Sequence, residues 1–185
     1  MRIISGKYGH RRFQVPVSFS ARPTTDFAKE NLFNVLENLV DWEASDALDL
    51  FAGTGSIAFE MLSRGCRSVT AIELNYKHVS FIEKVAKELH SEELTLIRGD
   101  VLRYLSSGAK SSFDLVFADP PYNLPELPEL PNLVLNGHLL RKGGIFVLEH
   151  SKNNNFTSFP YFIRQRVYGS VNFSFFRKQN ASKCH

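Results

Sequence analysis

From residue 47 onward the chain alternates short apolar runs with amphipathic ones, and this alternation limits its possible folds more than any other feature. Strand-like runs cover residues 47–52, 68–74, 94–98, 113–118 and 144–149. Helical periodicity fills the intervals near 56–64, 76–89, 101–107 and 127–136. Successive strands with a helix between them run parallel, because the helix carries the chain back to the starting edge. Gly65 follows the first of these helices, where a C-terminal glycine is favoured. After residue 160 the pattern changes. "YFIRQRVYG" and "VNFSFFRK" are parted only by the turn at Gly169-Ser170 and read as a closing antiparallel hairpin. The expectation is an α/β, Rossmann-like fold: a seven-stranded, mostly parallel sheet flanked by helices, with its last strand antiparallel.

The residues ahead of this region have a different texture. Residues 2–5 and 12–15 flank the turn Gly6 to Arg11 and read as a short β-hairpin carrying cations. Pro23 holds Arg22 extended. Thr24 or Thr25 can cap a helix over residues 25–40, with Asp26 in its first turn and Leu32, Val35, Leu36, Leu39 and Val40 at helical spacing. The expected division is a basic arm over 1–24 and one domain over 25–185.

The formal net charge of +3 conceals an asymmetry. Arg2, Lys7, Arg11, Arg12 and Arg22 precede every acid, and Lys152, Arg164, Arg166, Arg177, Lys178 and Lys183 follow the last one. All 19 acids lie between. Basic ends on an acidic centre suggest a polyanionic partner. No apolar run is long enough to span a bilayer and nothing resembles a signal peptide, so a cytoplasmic location is expected. Cys66 and Cys184 lack metal-site spacing and read as reduced thiols; no metal is expected.

"DLFAGTGSIAFE" is a strand, a tight turn and a helix start. Gly53 and Gly55 let the backbone turn sharply and approach a ligand, and Ala58 permits close helix–strand contact. The same spacing fits a dinucleotide fingerprint, with Glu73 about 20 residues on. Asp49 discriminates between the ligands. Inside the first strand, it would repel a pyrophosphate and attract an ammonium or sulfonium. Glu73 ends the second strand and can accept ribose hydroxyls. Asp100 ends the third and can accept an adenine amino group, or else cap the helix after it. S-adenosylmethionine suits these acids better than a dinucleotide.

The fourth strand stops at Asp119-Pro120-Pro121-Tyr122. Proline cannot continue a ladder, so the corner is rigid. An exocyclic amino group on a nucleobase must pyramidalise before it attacks a methyl group. Asp119 and the Pro120 carbonyl can accept its two N–H bonds, and Tyr122 can stack on the base. The plainer reading is a proline turn with a solvent-facing acid. The pairing with the glycine turn argues against it. His10, His138 and His150 read as surface or strand-end packing residues.

Taken in order, "MRIISGKYGHRRF", "ARPTTDFAKENLF", "DLFAGTGSIAFEMLSRG", "IELN", "DLVFADPPY", "EH" and "YGSVNFSFF" resemble the bacterial RsmD family over nearly the whole chain. The resemblance implies a class I methyltransferase that moves a methyl group from S-adenosylmethionine to the exocyclic N2 of a guanine in small-subunit (16S) rRNA, free or in an assembling ribosomal particle. It implies that Asp49, Ala52, Gly53, Thr54, Gly55, Glu73, Asp100 and Val101 hold the donor, and that Asp119, Pro120 and Tyr122 hold the guanine. Arg2, Lys7, Arg11, Arg12, Arg22 and Thr24 would meet RNA, and the protein would act as a monomer. The proline-rich "NLPELPELPNLV" departs from the family pattern. Three other readings stay open: an adenine-N6 methyltransferase sharing the same corner, a nicotinamide-dependent reductase using the glycine turn, and a non-enzymatic RNA-binding module.

Overall fold

Seven strands form one sheet, in the spatial order Leu94–Arg98, Ser68–Glu73, Asp46–Leu50, Phe113–Ala118, Leu140–His150, Val171–Arg177 and Phe162–Tyr168. The computed structural model describes residues 1–19, 24–108 and 111–179, so Arg22, Lys183 and Cys184 lie outside the described residues. The strands are β1 (Asp46–Leu50), β2 (Ser68–Glu73), β3 (Leu94–Arg98), β4 (Phe113–Ala118), β5 (Leu140–His150), β6 (Phe162–Tyr168) and β7 (Val171–Arg177). The first five run parallel, and β7 inserts antiparallel between β5 and β6. The helices are α1 (Asp26–Leu36), α2 (Ser56–Ser63), α3 (Tyr76–Leu89), α4 (Val101–Ser106) and α5 (Leu130–Leu135). β6 forms one edge of the sheet, where Arg164 and Arg166 guard against pairing with another chain.

Alternation along the strands sorts the core into two layers. Ala47, Leu115, Phe117, Ile145, Val147, Phe173 and Phe175 face a cluster with α1, α2 and α3. Leu48, Leu50, Val116, Ala118, Phe146, Leu148 and Phe176 face one built with α5 and the loop after β5. Both faces of the sheet are therefore covered, as parallel strands require.

Helix α1 is capped by Thr25, whose hydroxyl accepts the Ala28 N–H at 3.1 Å. The sequence pattern predicts this helix as far as residue 40, but it ends at Leu36. The chain tightens there, with Asn38 and Leu39 bonding three residues back, to Val35 and Leu36. The single helix expected over 127–136 is split into a 3₁₀ turn (Leu127–Glu129) and α5. Pro128 and Pro131 account for the break, since each lacks the N–H of a continuous ladder. β5 begins earlier than its apolar run suggests. A register shift lets Leu140 pair with Phe113 and Ile145 with Leu115.

The N-terminal arm is a narrow antiparallel loop closed by the Arg2–Arg12 bridge. It is docked on α2. The Ile4 and Ser5 N–H groups donate to the buried Glu60 carboxylate at 2.7 and 3.1 Å, and Lys7 N–H donates to the Ser63 carbonyl at 2.7 Å. Gly6 permits this approach. Its φ is 82°, and a Cβ there would lie 1.8 Å from the Ser63 oxygen. Buried Lys29 donates to the Arg2 carbonyl and to Ser56 Oγ, tying arm, α1 and α2 together.

The two ends of the parallel strands differ in charge balance. At the N-terminal edge Asp46 meets Arg67 at 2.6 Å and Arg141 at 2.9 Å, and Arg141 also meets Asp114. The guanidiniums hold the Asp46 carboxyl far below the usual range. At the C-terminal edge Asp49, Asp119 and Glu149 have no such partner among the described residues, and the cavity opens there.

Candidate active site

A cavity of about 1820 Å³ opens over the C-terminal ends of β1, β2, β4 and β5. The turn after β1 forms its floor. Phe51, Gly53 and Gly55 are all left-handed, with φ of 64°, 56° and 74°. Gly55 is also obligatory for space, because a Cβ would sit 2.9 Å from the Phe59 ring. Glu73, at the end of β2, holds this turn. One carboxylate oxygen accepts Gly53 N–H at 2.7 Å and the other accepts Asn75 N–H at 2.7 Å. His78 Nδ1 lies 3.6 Å from the second oxygen and has no hydrogen-bond partner among the described residues, while its ring packs on Phe19 at 4.3 Å. Asp100 also lines the cavity, and its side chain caps α4 by accepting Arg103 N–H at 2.8 Å. Both readings of this acid from the sequence are thus compatible with its position.

Three carboxylates, the buried Asp49 and Glu149 and the half-buried Asp119, gather beside the turn. Asp49 of β1 accepts the Ala58 N–H at 3.1 Å. Asp119 follows β4, and Glu149 lies in β5. Strand parity puts all three on one face: Asp49 pairs in register with Phe117, and Ala118 pairs with Leu148, so Asp119 follows beside Glu149. Among the described residues none of the three is in a salt bridge with a cation. Burial, reinforced by Glu73, pushes the Asp49 carboxyl up to about 8. Burial and then the neighbouring Glu149 and Asp49 raise Asp119 well above the ordinary range. Burial raises Glu149 too, opposed by donors from Thr24 and Tyr122.

These donors link distant segments. Glu149 accepts the Thr24 hydroxyl at 3.0 Å and the Tyr122 hydroxyl at 3.1 Å. Tyr122 is 45% exposed, so its ring faces the cavity mouth while its hydroxyl is anchored. From the sequence alone Tyr122 reads as a stacking ring only, and Glu149 carries no role. The signal for Glu149 was an acid ending the fifth strand, readable only once the β4–β5 register was known.

The other sequence-derived candidates divide between the cavity and elsewhere. Ala52, Gly53, Thr54, Val101, Pro120, Arg2, Arg12 and Thr24 line the cavity. Gly55 and Asp49 do not line it, and Asp49 is buried. Lys7 and Arg11 point elsewhere, paired with Glu93 at 2.9 Å and Glu88 at 3.0 Å. Their acids come from α3 and the loop after it, far along the chain. His150 is buried between Ser151 and Ser174, and His10 and His138 are exposed. Among the described residues no group of His, Cys, Asp and Glu has the arrangement of a metal site, and no helix is long and apolar enough to cross a membrane.

The raised Asp49 value carries a stability signature. A folded pKa above the unfolded one means that the native state holds the proton longer, so stability is lost as pH rises from 3.8 toward about 8. Asp49→Asn keeps an acceptor for Ala58 and removes this titration. Urea midpoints across that window should fall less steeply for the variant than for the parent. Parallel curves would show that Asp49 does not titrate there.

The family model described as conserved hypothetical protein 95 matches residues 1–177. A Buchnera aphidicola protein named ribosomal RNA small subunit methyltransferase D is 31% identical over 155 residues, covering 84% of this chain and 78% of that protein. The Escherichia coli K12 protein of the same name is 28% identical over 182 residues, covering 97% and 90%. Among solved structures, a candidate methyltransferase from Escherichia coli superposes with a TM-score of 0.84 at 27% identity, covering 97% of this chain and 98% of that one.

Proposed function

The chain belongs to the conserved hypothetical protein 95 (RsmD) family, and from that premise we propose that it methylates the exocyclic N2 amino group of a guanine in small-subunit rRNA, with S-adenosylmethionine as donor. The observation that carries this reading is the trio Asp49, Asp119 and Glu149. Asp49 and Glu149 are buried and Asp119 half-buried, none has a cation partner among the described residues, and Asp119 and Glu149 line the large cavity beside the glycine turn. Such a site favours a positively charged ligand and opposes a pyrophosphate, which counts against the nicotinamide alternative. The cavity exceeds the roughly 300–1,000 Å³ of a common small-molecule pocket, leaving room for a donor and a nucleoside together.

The residues present fit the donor. Ala52, Gly53 and Thr54 line the part that would hold its amino-acid end. Glu73 keeps lone pairs free for ribose hydroxyls, since each of its oxygens has accepted only one backbone N–H. The Asp100 oxygen not used by the helix cap remains for an amino group of adenine. When bound, S-adenosylmethionine supplies an electrophilic methyl group on a sulfonium. The protein's own part is positioning. Asp119 accepts an N–H of the target amine and takes the proton it loses on methylation, a task suited to a carboxyl of raised pKa. Tyr122 stacks on the base, and Glu149 fixes the ring through its hydroxyl.

The test is to incubate the protein with methyl-labelled donor and small-subunit rRNA, both free and in particles, and to identify the labelled nucleoside by mass spectrometry. N2-methylguanosine is expected. Labelled N6-methyladenosine, or no transfer to either substrate, overturns the reading. The same substrates test the electrostatic grip. Lys7 and Arg11 are already paired, whereas Arg2 and Arg12 line the cavity and Arg12 has no acid partner among the described residues. Changing Arg2 and Arg12 to Ala should make the logarithmic salt dependence of RNA binding shallower by roughly 1–1.5, at about 0.7 per single-strand phosphate contact. Changing Lys7 and Arg11 should move it by less than half as much. The reverse order would put the docked face of the arm, and not the cavity rim, on the RNA.

A further inference from the structure

The geometry points to a second base-binding subsite: the rings of Phe27 and Tyr168 form a stacking platform for the nucleotide next to the one that enters the cavity. This inference rests on the proposed action on RNA. Phe27 is the second residue of α1 and lies off its buried face, which is made by Ala28, Lys29, Leu32, Phe33 and Leu36. It is 65% exposed, so the fold gains little from it. Its ring nevertheless meets Tyr168, the last residue of β6, edge to face at a centroid distance of 6.0 Å and an angle of 88°. An exposed aromatic held in a fixed orientation by a second ring is a preorganised π surface.

The position of this pair identifies its occupant. Both rings line the same cavity as Asp119 and Tyr122. The connection to the target side is short. The Tyr122 hydroxyl is bound to Glu149, Glu149 is bound to Thr24, and Phe27 follows Thr24 within the first turn of α1. Cations flank the platform. Arg2 reaches Asp26, the residue before Phe27, at 3.6 Å, and the Arg2–Arg12 bridge places Arg12 beside it. After Tyr168 the chain turns at Gly169-Ser170, which also lines the cavity, and Gly169 has open space where a Cβ would point. Aromatic faces interleaved with phosphate-binding cations are the chemistry of single-stranded RNA recognition. A protein partner would be served by apolar area alone and would not need the arginines.

The donor-loaded protein should be titrated with a short single-stranded RNA carrying a central guanine, and with the same RNA made abasic at the neighbouring positions in turn. Phe27→Ala and Tyr168→Ala should each weaken binding of the intact RNA by about 5- to 100-fold, the range for loss of one base–aromatic stack. Phe27→Tyr should bind like the parent, and Phe27→Leu should not. The loss should vanish on one of the abasic RNAs, which the parent itself should bind more weakly. Donor affinity should be unchanged in every variant. Full binding by Phe27→Leu would mean a generic apolar contact, such as a protein docking patch, and would overturn the inference. So would equal losses on intact and all abasic RNAs. If the parent binds none of these RNAs and transfers no methyl group to rRNA, the proposed function fails with it; if methyl transfer occurs but the Phe27 variants bind normally, only the platform is lost.

Discussion

Asp119→Asn is expected to lower the single-turnover methyl-transfer rate by at least ~100-fold while leaving donor affinity within about twofold, the scale of removing one oriented electrostatic group from a water-poor site. The substitution keeps the volume and one acceptor oxygen. It replaces the other oxygen with an NH₂ that faces the target amine with a donor, and it removes the carboxylate that would take the departing proton. The fold should not suffer. Asp119 is half-buried beside Glu149 and Asp49, and desolvation, followed by these like charges, raises its pKa. The native state therefore holds this proton longer than the unfolded chain, and stability falls as pH rises through the folded value. Asn at this position has no charge to desolvate, so the variant should be at least as stable as the parent at pH 8. A variant that is inactive, folded and donor-binding would assign Asp119 to the chemistry. A variant that retains most of the single-turnover rate would exclude it. Loss of donor affinity equal to the loss of rate would move Asp119 from the target side of the cavity to the donor side.

The parts of this site that could be read from the sequence are those that local chain chemistry dictates. A strand followed by Gly53 and Gly55 has to turn where it does, and two prolines have to stop β4 at Asp119. Strand ends are also where an open α/β sheet binds its ligand, so Glu73 and Asp100 could be placed at the cavity from alternation alone. The parts that were missed depend on pairing between distant segments. Glu149 joins Asp119 only through the β4–β5 register, and one residue of slip would have put it on the opposite face. The Tyr122 hydroxyl could not be given a partner without that register. Lys7 and Arg11 looked unpaired because no acid precedes Asp26, yet docking of the arm brings them to Glu93 and Glu88. Lys29 of α1 is buried, and the partners that make its burial tolerable, the Arg2 carbonyl and Ser56 Oγ, come from separate segments of the chain. The prolines that split α5 from the preceding turn were visible in the sequence, but the helical spacing of Leu127, Leu130 and Val134 masked their effect.

Glu73→Ala should weaken S-adenosylmethionine binding by about 1.5–3 kcal/mol, the usual contribution of hydrogen bonds to a charged group. The structure gives this substitution a second consequence that the sequence did not predict. From its place at a pocket rim, Glu73 would be removable without harm to the fold. In the structure it is only 9% exposed, and its two oxygens hold the Gly53 and Asn75 N–H groups at 2.7 Å each. Truncation leaves both donors without their partner at the base of the glycine turn and at the cap of α3. A loss of stability of about 1–3 kcal/mol is expected from that source alone. The two effects can be separated with Glu73→Gln. Glutamine retains one acceptor oxygen but sets an NH₂ against the other backbone donor, so it should recover part of the stability. It should recover less of the affinity, because a ribose bound through both hydroxyls needs an acceptor on each side. Calorimetric donor titrations and urea unfolding of the parent and both variants would measure the two losses independently. Affinity and stability falling in fixed proportion across the set would mean that Glu73 serves only the turn. Unchanged donor affinity in a folded Glu73→Ala protein would remove it from the donor site, and the ribose would have to be held by another group lining the same cavity, such as Asn75 or His78.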